Sequence, residues 1–204
     1  MSMQKARQES FGMHQLSWLD KLIYTLRVGS IKKHCACTWK IVMDVGCGYN
    51  AQFLRYIQKT YHPAHAIAYD LALNKDFLTK TGVECIEGDL NAPFVLHRQA
   101  DLIFATAILE HLHQPVAFLK QCFAALAPGG SLVLTTPSIW SQPVLELLAY
   151  RLHIISEEEI RDHKDYYDKA KLLDYFQQAW FTADQVHHNY FECRMNNLVV
   201  AHKR

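Results

Sequence analysis

The sequence predicts an α/β fold built on a mostly parallel, doubly wound sheet of seven strands that ends with an antiparallel strand. The first observation behind this prediction is that five short apolar runs alternate with stretches of helical periodicity between residues 40 and 136. Such alternation is typical of parallel strands that are connected by helices on both faces of a sheet. The second is that two further strand-like runs, residues 181–191 and 197–202, are separated only by residues 192–196, which predicts an antiparallel hairpin.

The first half of the chain contains three of the predicted strands. Apolar residues recur at three- and four-residue intervals from residue 13 to about residue 33, which predicts an amphipathic N-terminal helix. The β-branched run 40–45 predicts a strand, the following Gly46-Cys47-Gly48 predicts a tight turn, and residues 51–58 have helical spacing. A strand over 64–69 ends at Asp70, a short helix covers 73–80, and a strand over 82–87 ends at Gly88-Asp89.

The second half completes the sheet and adds an insert. Residues 100–106 predict a strand, and residues 116–126 predict a helix that Pro128-Gly129-Gly130 ends before a strand over 131–136. After Pro137, helical stretches over 144–152 and 171–178 flank a charged segment, 156–169. We therefore expect one domain over residues 1–204, with a helical cover (1–38), a cofactor-binding core (39–137), a substrate-side insert (138–170) and a last helix with the terminal hairpin (171–204).

Composition argues against several classes of partner. The chain has 204 residues, with 21 Lys and Arg against 20 Asp and Glu, and no basic stripe, so a nucleic-acid partner is not expected. No uninterrupted apolar run is long enough to cross a membrane, and no signal peptide is visible, which predicts a cytoplasmic protein. The six cysteines are dispersed and are expected to be reduced. The sequence does not determine the oligomeric state.

Polar and flexible residues cluster where the predicted parallel strands end. Gly46 and Gly48 lie between a strand and a helix, where glycine allows a ligand to approach the backbone closely. Asp70 ends the next strand, at about the distance along the chain at which an acidic residue binds a ribose diol in Rossmann-like sheets. Asp89 ends the third strand and could accept a hydrogen bond from an adenine amine. The carboxyl edge of the sheet is therefore the predicted binding site.

Several segments resemble motifs of the class I S-adenosylmethionine-dependent methyltransferases, in the small-molecule branch that includes ubiquinone-pathway enzymes (methyltransferase type 11). Residues 41–48 (IVMDVGCG) resemble the first motif, residues 86–90 (IEGDL) the adenine-contacting segment, and residues 126–132 (LAPGGSL) the turn into the fifth strand. Residues 108–112 (ILEHL) are similar to the helix start after the fourth strand. The family usually has glycine where this chain has Asn50, and Asn50 is predicted to cap the following helix.

The resemblance implies a cofactor, S-adenosylmethionine, a product, S-adenosylhomocysteine, and a set of binding residues. Asp44, Gly46, Cys47 and Gly48 would surround the methionine part, and the carbonyl of Ala105 would accept from its ammonium. Asp70 would bind the ribose, Leu71 would pack on the adenine face, and Asp89 and Leu90 would contact the adenine edge. The implied reaction is methyl transfer to a small molecule whose identity the sequence does not give.

The substrate side is predicted from position alone. His163, Tyr166 and Tyr167 lie in the insert after the fifth strand, and His111 lies at the helix start after the fourth strand. These four residues are expected to contact the acceptor beneath a mobile cover. Glu110, His111 or His163 could serve as a general base for a hydroxyl acceptor, and none of the three is assigned that role.

Two other functions remain open, and a metal site is not expected. Residues 46–51 also satisfy the glycine fingerprint of NAD-dependent oxidoreductases, although no room is left for a separate substrate domain. A non-catalytic protein that binds S-adenosylmethionine is the second alternative. His187 and His188 are adjacent in a predicted strand and should point to opposite faces, so they are poor partners for one metal ion.

Overall fold

Seven strands form one mixed sheet in the computed structural model, which describes residues 40–93, 98–147 and 164–204 together with Gly29 and Arg151. The strands lie in the order β3-β2-β1-β4-β5-β7-β6. Their bounds are β1 Ile41–Val45, β2 His65–Asp70, β3 Val83–Glu87, β4 Ala100–Thr106, β5 Leu126–Pro137, β6 Val186–Phe191 and β7 Asn196–His202. The first five are parallel, and β7 runs antiparallel to both β5 and β6. The predicted fold class is confirmed.

Helices connect the strands and cover both faces of the sheet. Their bounds are α1 Gln52–Tyr61, α2 Lys75–Lys80, α3 Pro115–Ala125, α4 Gln142–Glu146 and α5 Lys169–Gln178, with 3₁₀ turns at Leu109–His111 and Ala183–Gln185. The proline at the first position of α3 suits a helix start, because the amide hydrogen that it lacks has no partner there. None of the described helices has the length and apolar character needed to cross a bilayer.

Two hydrophobic clusters enclose the sheet. On one face, Met43 of β1 packs with Phe118 of α3 and Phe176 of α5. On the other face, Leu54 of α1 packs with Phe104 of β4. The central strands, which are buried on both sides, therefore fix the relative positions of the loops at their carboxyl ends.

Some element bounds differ from the prediction for local reasons. The strand predicted over 181–191 begins at Val186, because Thr182 and Gln185 form a capping box that turns the preceding residues into a 3₁₀ helix. β5 extends from Leu126 to Pro137 rather than over 131–136. All of the predicted N-terminal helix (13–33) except Gly29 lies outside the described residues, as does His163.

Candidate active site at the carboxyl edge of the sheet

The turn after β1 is fastened to the end of β2. Gly46 and Gly48 have φ values of +72° and +74°, a left-handed conformation that glycine adopts without steric cost. The amides of Gly46 and Cys47 both donate to the carbonyl of Tyr69, at 2.8 and 3.4 Å. The backbone therefore reverses within three residues and passes close to β2.

The two glycines have different surroundings. A Cβ on Gly46 would lie 2.7 Å from side-chain atoms of Ile108, which follows β4, so this glycine is required by packing between the two loops. A Cβ on Gly48 would meet no atom of the described residues within 4 Å. The space beside Gly48 is therefore open to a ligand.

Asp70, at the end of β2, holds the glycine turn through its carboxylate. Its Oδ2 accepts from the amide of Gly48 at 2.7 Å, and its Oδ1 accepts from the amide of Leu71 at 2.7 Å. A carboxylate oxygen can accept more than one hydrogen bond, so these contacts fix the side chain without using all of its acceptor capacity.

Asn50 does not cap α1 as predicted. The N-cap is Ala51, which has φ 43° and makes no side-chain capping bond. The side-chain oxygen of Asn50 instead accepts from Nδ2 of Asn74 at 3.0 Å and ties the glycine turn to the loop after β2. The prediction was wrong because Asn50 lies one residue before the cap position.

Asp44, which precedes the glycine turn on β1, is a buried acid with no hydrogen-bond donor among the described residues. It is 1% exposed, and neither carboxylate oxygen has a partner there. Burial raises its pKa well above the usual range, and the negative charge of Asp70 raises it further. The neighbouring thiol of Cys47 also has a raised pKa, first because of burial and then because of these two carboxylates.

The end of β3 is shaped by Gly88, Asp89 and Asn91. A Cβ on Gly88 would lie 2.0 Å from the hydroxyl oxygen of Tyr69, so only glycine fits there. The exposed carboxylate of Asp89 accepts from the backbone and side-chain amides of Asn91, at 2.9 and 3.2 Å. Leu90 is buried beside it.

The end of β4 brings a second buried acid to the same edge. Ala105 is fully buried and pairs in register with Val45 and Leu134. In the 3₁₀ turn that follows, Glu110 is 1% exposed and accepts from the hydroxyl of Thr136 at 2.9 Å. His111, next to it, is half-buried. The chain adds β2 and β3 on one side of β1, and then β4 and β5 on the other side. In such sheets ligands bind in the crevice between the carboxyl ends of the two strands where this direction changes, here β1 and β4.

Tyr166 and Tyr167 have different environments. Tyr166 is partly exposed. Tyr167 is 1% exposed, donates from its hydroxyl to the carbonyl of Leu109 at 3.2 Å, and has a pKa raised first by burial. This placement corrects the expectation that Tyr167 faces the substrate, since its ring is part of the core.

Sequence reasoning missed the residues that hold the site loops together. Ile108 and Tyr69 set the need for glycine at positions 46 and 88, and Asn197 donates to the carbonyl of Tyr167 at 3.0 Å from within β7. In the sequence, Asn197 is marked only by the two consecutive asparagines at the start of a predicted strand. Its contact with Tyr167 could not be predicted, because the two residues are thirty positions apart in the chain.

The residues present fit S-adenosylmethionine. Among the described residues, Asp44 offers a buried carboxylate without a partner to a cationic group, no atom fills the space beside Gly48, and Asp70 presents a fixed acceptor next to that space. The structure thus brings Asp44, the glycine turn and Asp70 together. Leu71, Asp89, Leu90 and Ala105 lie at the ends of the neighbouring strands. Their contacts with a cofactor remain predictions.

Comparison with known proteins agrees with this geometry. A methyltransferase domain family matches residues 27–192. A tRNA U34 carboxymethyltransferase from Sulfurovum sp. (strain NBC37-1) is 27% identical over 127 residues, which are 58% of this chain and 40% of that protein.

Two solved structures share the fold at low sequence identity. An O-methyltransferase family protein from Burkholderia thailandensis has a TM-score of 0.68 and 15% identity, covering 89% of this chain and 56% of its own. A SAM-dependent methyltransferase from Thermotoga maritima, described as a possible histamine N-methyltransferase, has a TM-score of 0.66 and 12% identity, covering 90% of each chain.

The share of each protein that is matched determines what each comparison supports. The chain spans 40% of the curated relative's length and just over half of the Burkholderia protein. The family model, in contrast, matches more than half of this chain and includes every described strand of the parallel sheet. The chain therefore belongs to the methyltransferase domain family, within the class I S-adenosylmethionine-dependent methyltransferases.

Proposed function

We propose that this chain transfers the methyl group of S-adenosylmethionine to a small-molecule acceptor and leaves S-adenosylhomocysteine. The observation that carries the proposal is Asp44, a buried carboxylate that no donor among the described residues reaches, near the end of β1 beside the left-handed glycine turn. A buried carboxyl group needs a partner in order to ionise, and the methionine part of the cofactor carries an ammonium.

The other residues of the site bind and orient the cofactor in this proposal. Asp70 accepts from the ribose hydroxyls while its bond to Gly48 holds the turn in place. Leu71 packs on the adenine face, Asp89 and Leu90 contact the adenine edge, where Asp89 accepts from the amine, and the carbonyl of Ala105 accepts from the ammonium. S-adenosylmethionine supplies a methyl group that its sulfonium activates. The protein mainly aligns an acceptor with that group and excludes water, so no protein nucleophile is required.

The acceptor is expected to lie over the end of β4. Glu110 lies there with a hydrogen bond to Thr136, and His111 follows it on the same 3₁₀ turn. His111 and Tyr166 are the described residues that we propose to contact the acceptor, together with His163. Which of the nearby groups removes a proton depends on whether the acceptor atom is oxygen, nitrogen or carbon.

A small acceptor is favoured by charge. The net charge of the chain is +1, and the described carboxyl edge carries the partly exposed Asp70 and the exposed Asp89, whose negative charges would repel a phosphate backbone. A tRNA acceptor is the second candidate, because the curated relative is named for tRNA U34.

Calorimetric titration of the full chain with S-adenosylmethionine, S-adenosylhomocysteine and NAD tests the cofactor. We expect both sulfur nucleosides to bind and NAD not to bind. Binding of NAD alone would indicate an oxidoreductase and overturn the proposal. Binding of the nucleosides without any methyl transfer to cellular acceptors would favour a non-catalytic protein.

Methyl-labelled S-adenosylmethionine tests the acceptor class. The chain is incubated with two separated fractions of a cell extract, low-molecular-weight metabolites and total tRNA, and the label is followed in each. We expect label in the metabolite fraction, and the Asp70→Ala variant should not produce it. Label in tRNA alone would overturn the small-molecule assignment and leave the cofactor assignment intact.

A further inference from the structure

Asp44 is held in surroundings that do not suit a carboxylate. Its side chain is 1% exposed, and no donor among the described residues reaches either oxygen. Its partners in register are Ala68 on β2 and Phe104 on β4, both apolar. Phe53 and Leu54 of α1 pack on the same face of the sheet. The side chains of these neighbours on β2, β4 and α1 therefore cannot stabilise the charged carboxylate by hydrogen bonding.

The titratable groups that face Asp44 oppose its ionisation as well. Asp70, from the end of β2, raises the pKa of Asp44 by its negative charge, in addition to the larger effect of burial. Cys47, from the glycine turn, is itself kept as a neutral thiol by a raised pKa. Among the described residues, the register partners Ala68 and Phe104 and the helix residues Phe53 and Leu54 on this face carry no titratable group.

We propose that Asp44 is a proton-binding site that the cofactor empties: the ammonium of S-adenosylmethionine displaces a proton from the Asp44 carboxyl group when it binds. This inference rests on the proposed function. In the free protein the carboxyl group is protonated, its O–H bond breaks on binding, the proton passes to solvent, and the resulting carboxylate pairs with the ammonium. The neutral acid is the favoured form in the apolar surroundings of the free protein, and the carboxylate is the favoured form beside a cation. The ammonium therefore takes the place of the proton.

Two consequences can be measured. Because the bound state carries fewer protons, affinity rises with pH while Asp44 is protonated in the free protein, by up to tenfold per pH unit, and then becomes constant. S-adenosylhomocysteine has the same amino-acid part and follows the same rule. Methylthioadenosine, which lacks the amino-acid part, binds without this dependence.

Calorimetry in buffers of different ionisation enthalpy counts the protons released, and we would run it at pH 5, 6, 7 and 8. We expect S-adenosylmethionine and S-adenosylhomocysteine to release up to one proton wherever Asp44 is protonated in the free protein, with the number falling once the pH passes the raised pKa of Asp44, and methylthioadenosine to release none. The isosteric Asp44→Asn variant should release no proton and bind with an affinity independent of pH. Asp174→Asn, on the exposed side of α5, is the matched control and should behave like the original chain.

Other results would overturn the inference. Normal binding of S-adenosylhomocysteine with no proton released at any pH would do so and leave the proposed function intact. Equal release with methylthioadenosine, or release that persists in Asp44→Asn, would assign the proton to another group. The pH series on the original chain keeps the test valid if Asp44→Asn does not fold. Absence of nucleoside binding in every arm would overturn the proposed function, and this inference with it.

Discussion

Gly46 and Gly48 share a left-handed backbone, but only Gly48 leaves space for a side chain. Substitutions at the two positions therefore distinguish an effect on packing from an effect on ligand binding. At Gly46 a methyl group would lie 2.7 Å from Ile108, so a substitution there disturbs the fold whether or not a cofactor binds. At Gly48 the only cost to the fold is the backbone conformation, about 1 kcal/mol.

We therefore predict that Gly48→Ala folds with a slightly lowered Tm and binds S-adenosylhomocysteine at least about tenfold more weakly, because its methyl group occupies the cofactor's space. Gly46→Ala should lower Tm by more. Thermal unfolding and calorimetry on both variants check this. Unchanged affinity in Gly48→Ala would mean that the cofactor does not occupy the space beside Gly48.

Asp70 is expected to contribute to binding both directly and through the turn that it holds. We predict that Asp70→Ala weakens S-adenosylhomocysteine binding by about 1.5–3 kcal/mol, since a charged acceptor is lost and the amide of Gly48 loses its partner. Asp174→Ala, an exposed carboxylate on α5, serves as the control. A dissociation constant equal to that of the unsubstituted chain would place the ribose elsewhere.

Residue-scale prediction from the sequence worked where a residue follows directly from its strand. Asp44, Gly46, Gly48, Asp70 and Asp89 all end a strand or begin the next turn, so the order of elements located them. The environments of Ile108 and Tyr69 were not predictable, because each depends on a contact between loops that are distant in the chain. The same holds for the burial of Tyr167.

Among the elements, the segment that leads into α5 is bound more firmly than a mobile cover would be. The amide of Lys164 donates to the carbonyl of Glu110 at 2.7 Å, and the amide of Tyr167 donates to the carbonyl of Pro137 at 3.3 Å. The carbonyl of Tyr167 in turn accepts from the amide of Ile139 at 3.2 Å and from Asn197. Residues 164–168 therefore belong to the sheet edge, whatever the rest of the insert does.

This docking predicts slow hydrogen exchange at Lys164 and Tyr167 in the free chain, by about 100-fold or more relative to an unstructured peptide. Asn197→Ala should speed exchange in residues 164–168 and lower stability by roughly 0.5–1.5 kcal/mol, because the carbonyl of Tyr167 loses one of its two donors and keeps only the amide of Ile139. Asn189→Ala, exposed on β6, should change neither. Fast exchange at both amides in the free chain would instead support the predicted mobile cover over residues 164–168.

Element types were predictable from periodicity, whereas element ends depended on local capping. The parallel strands appeared as apolar runs because they are buried on both faces. β6 was predicted to be too long, because the capping box at Thr182 and Gln185 interrupts an apolar sequence that otherwise resembles a strand. The start of α5 has a clear cause in the sequence, since Asp168 accepts from the amide of Lys171 at 2.8 Å.

At the scale of the whole molecule, the proposed cofactor site contains one residue, Asp44, whose burial without a hydrogen-bond donor among the described residues is unfavourable for the charged carboxylate. The strands around Asp44 are apolar, and no donor among the described residues satisfies its oxygens. Because the pKa of Asp44 is raised in the folded state, the folded chain holds a proton there at pH values where the unfolded chain has released it. Stability must then fall as pH rises from the ordinary carboxyl range through the raised pKa.

Asp44→Asn should remove this pH-dependent loss, because the amide carries no charge at any pH. At pH 8 we predict that the free variant is more stable than the original chain by about 1–3 kcal/mol, a Tm increase of about 2–4 °C per kcal/mol for a chain of this size. The difference should shrink as pH falls toward 4, where Asp44 is protonated in the folded chain and about half protonated in the unfolded chain, and Asp174→Asn should show no such trend. Thermal unfolding of the three proteins from pH 4 to pH 8, without ligand, measures the effect. If the Asp44→Asn variant is no more stable than the original chain at pH 8, then the Asp44 carboxylate is stabilised within the free fold and does not need a ligand as its partner.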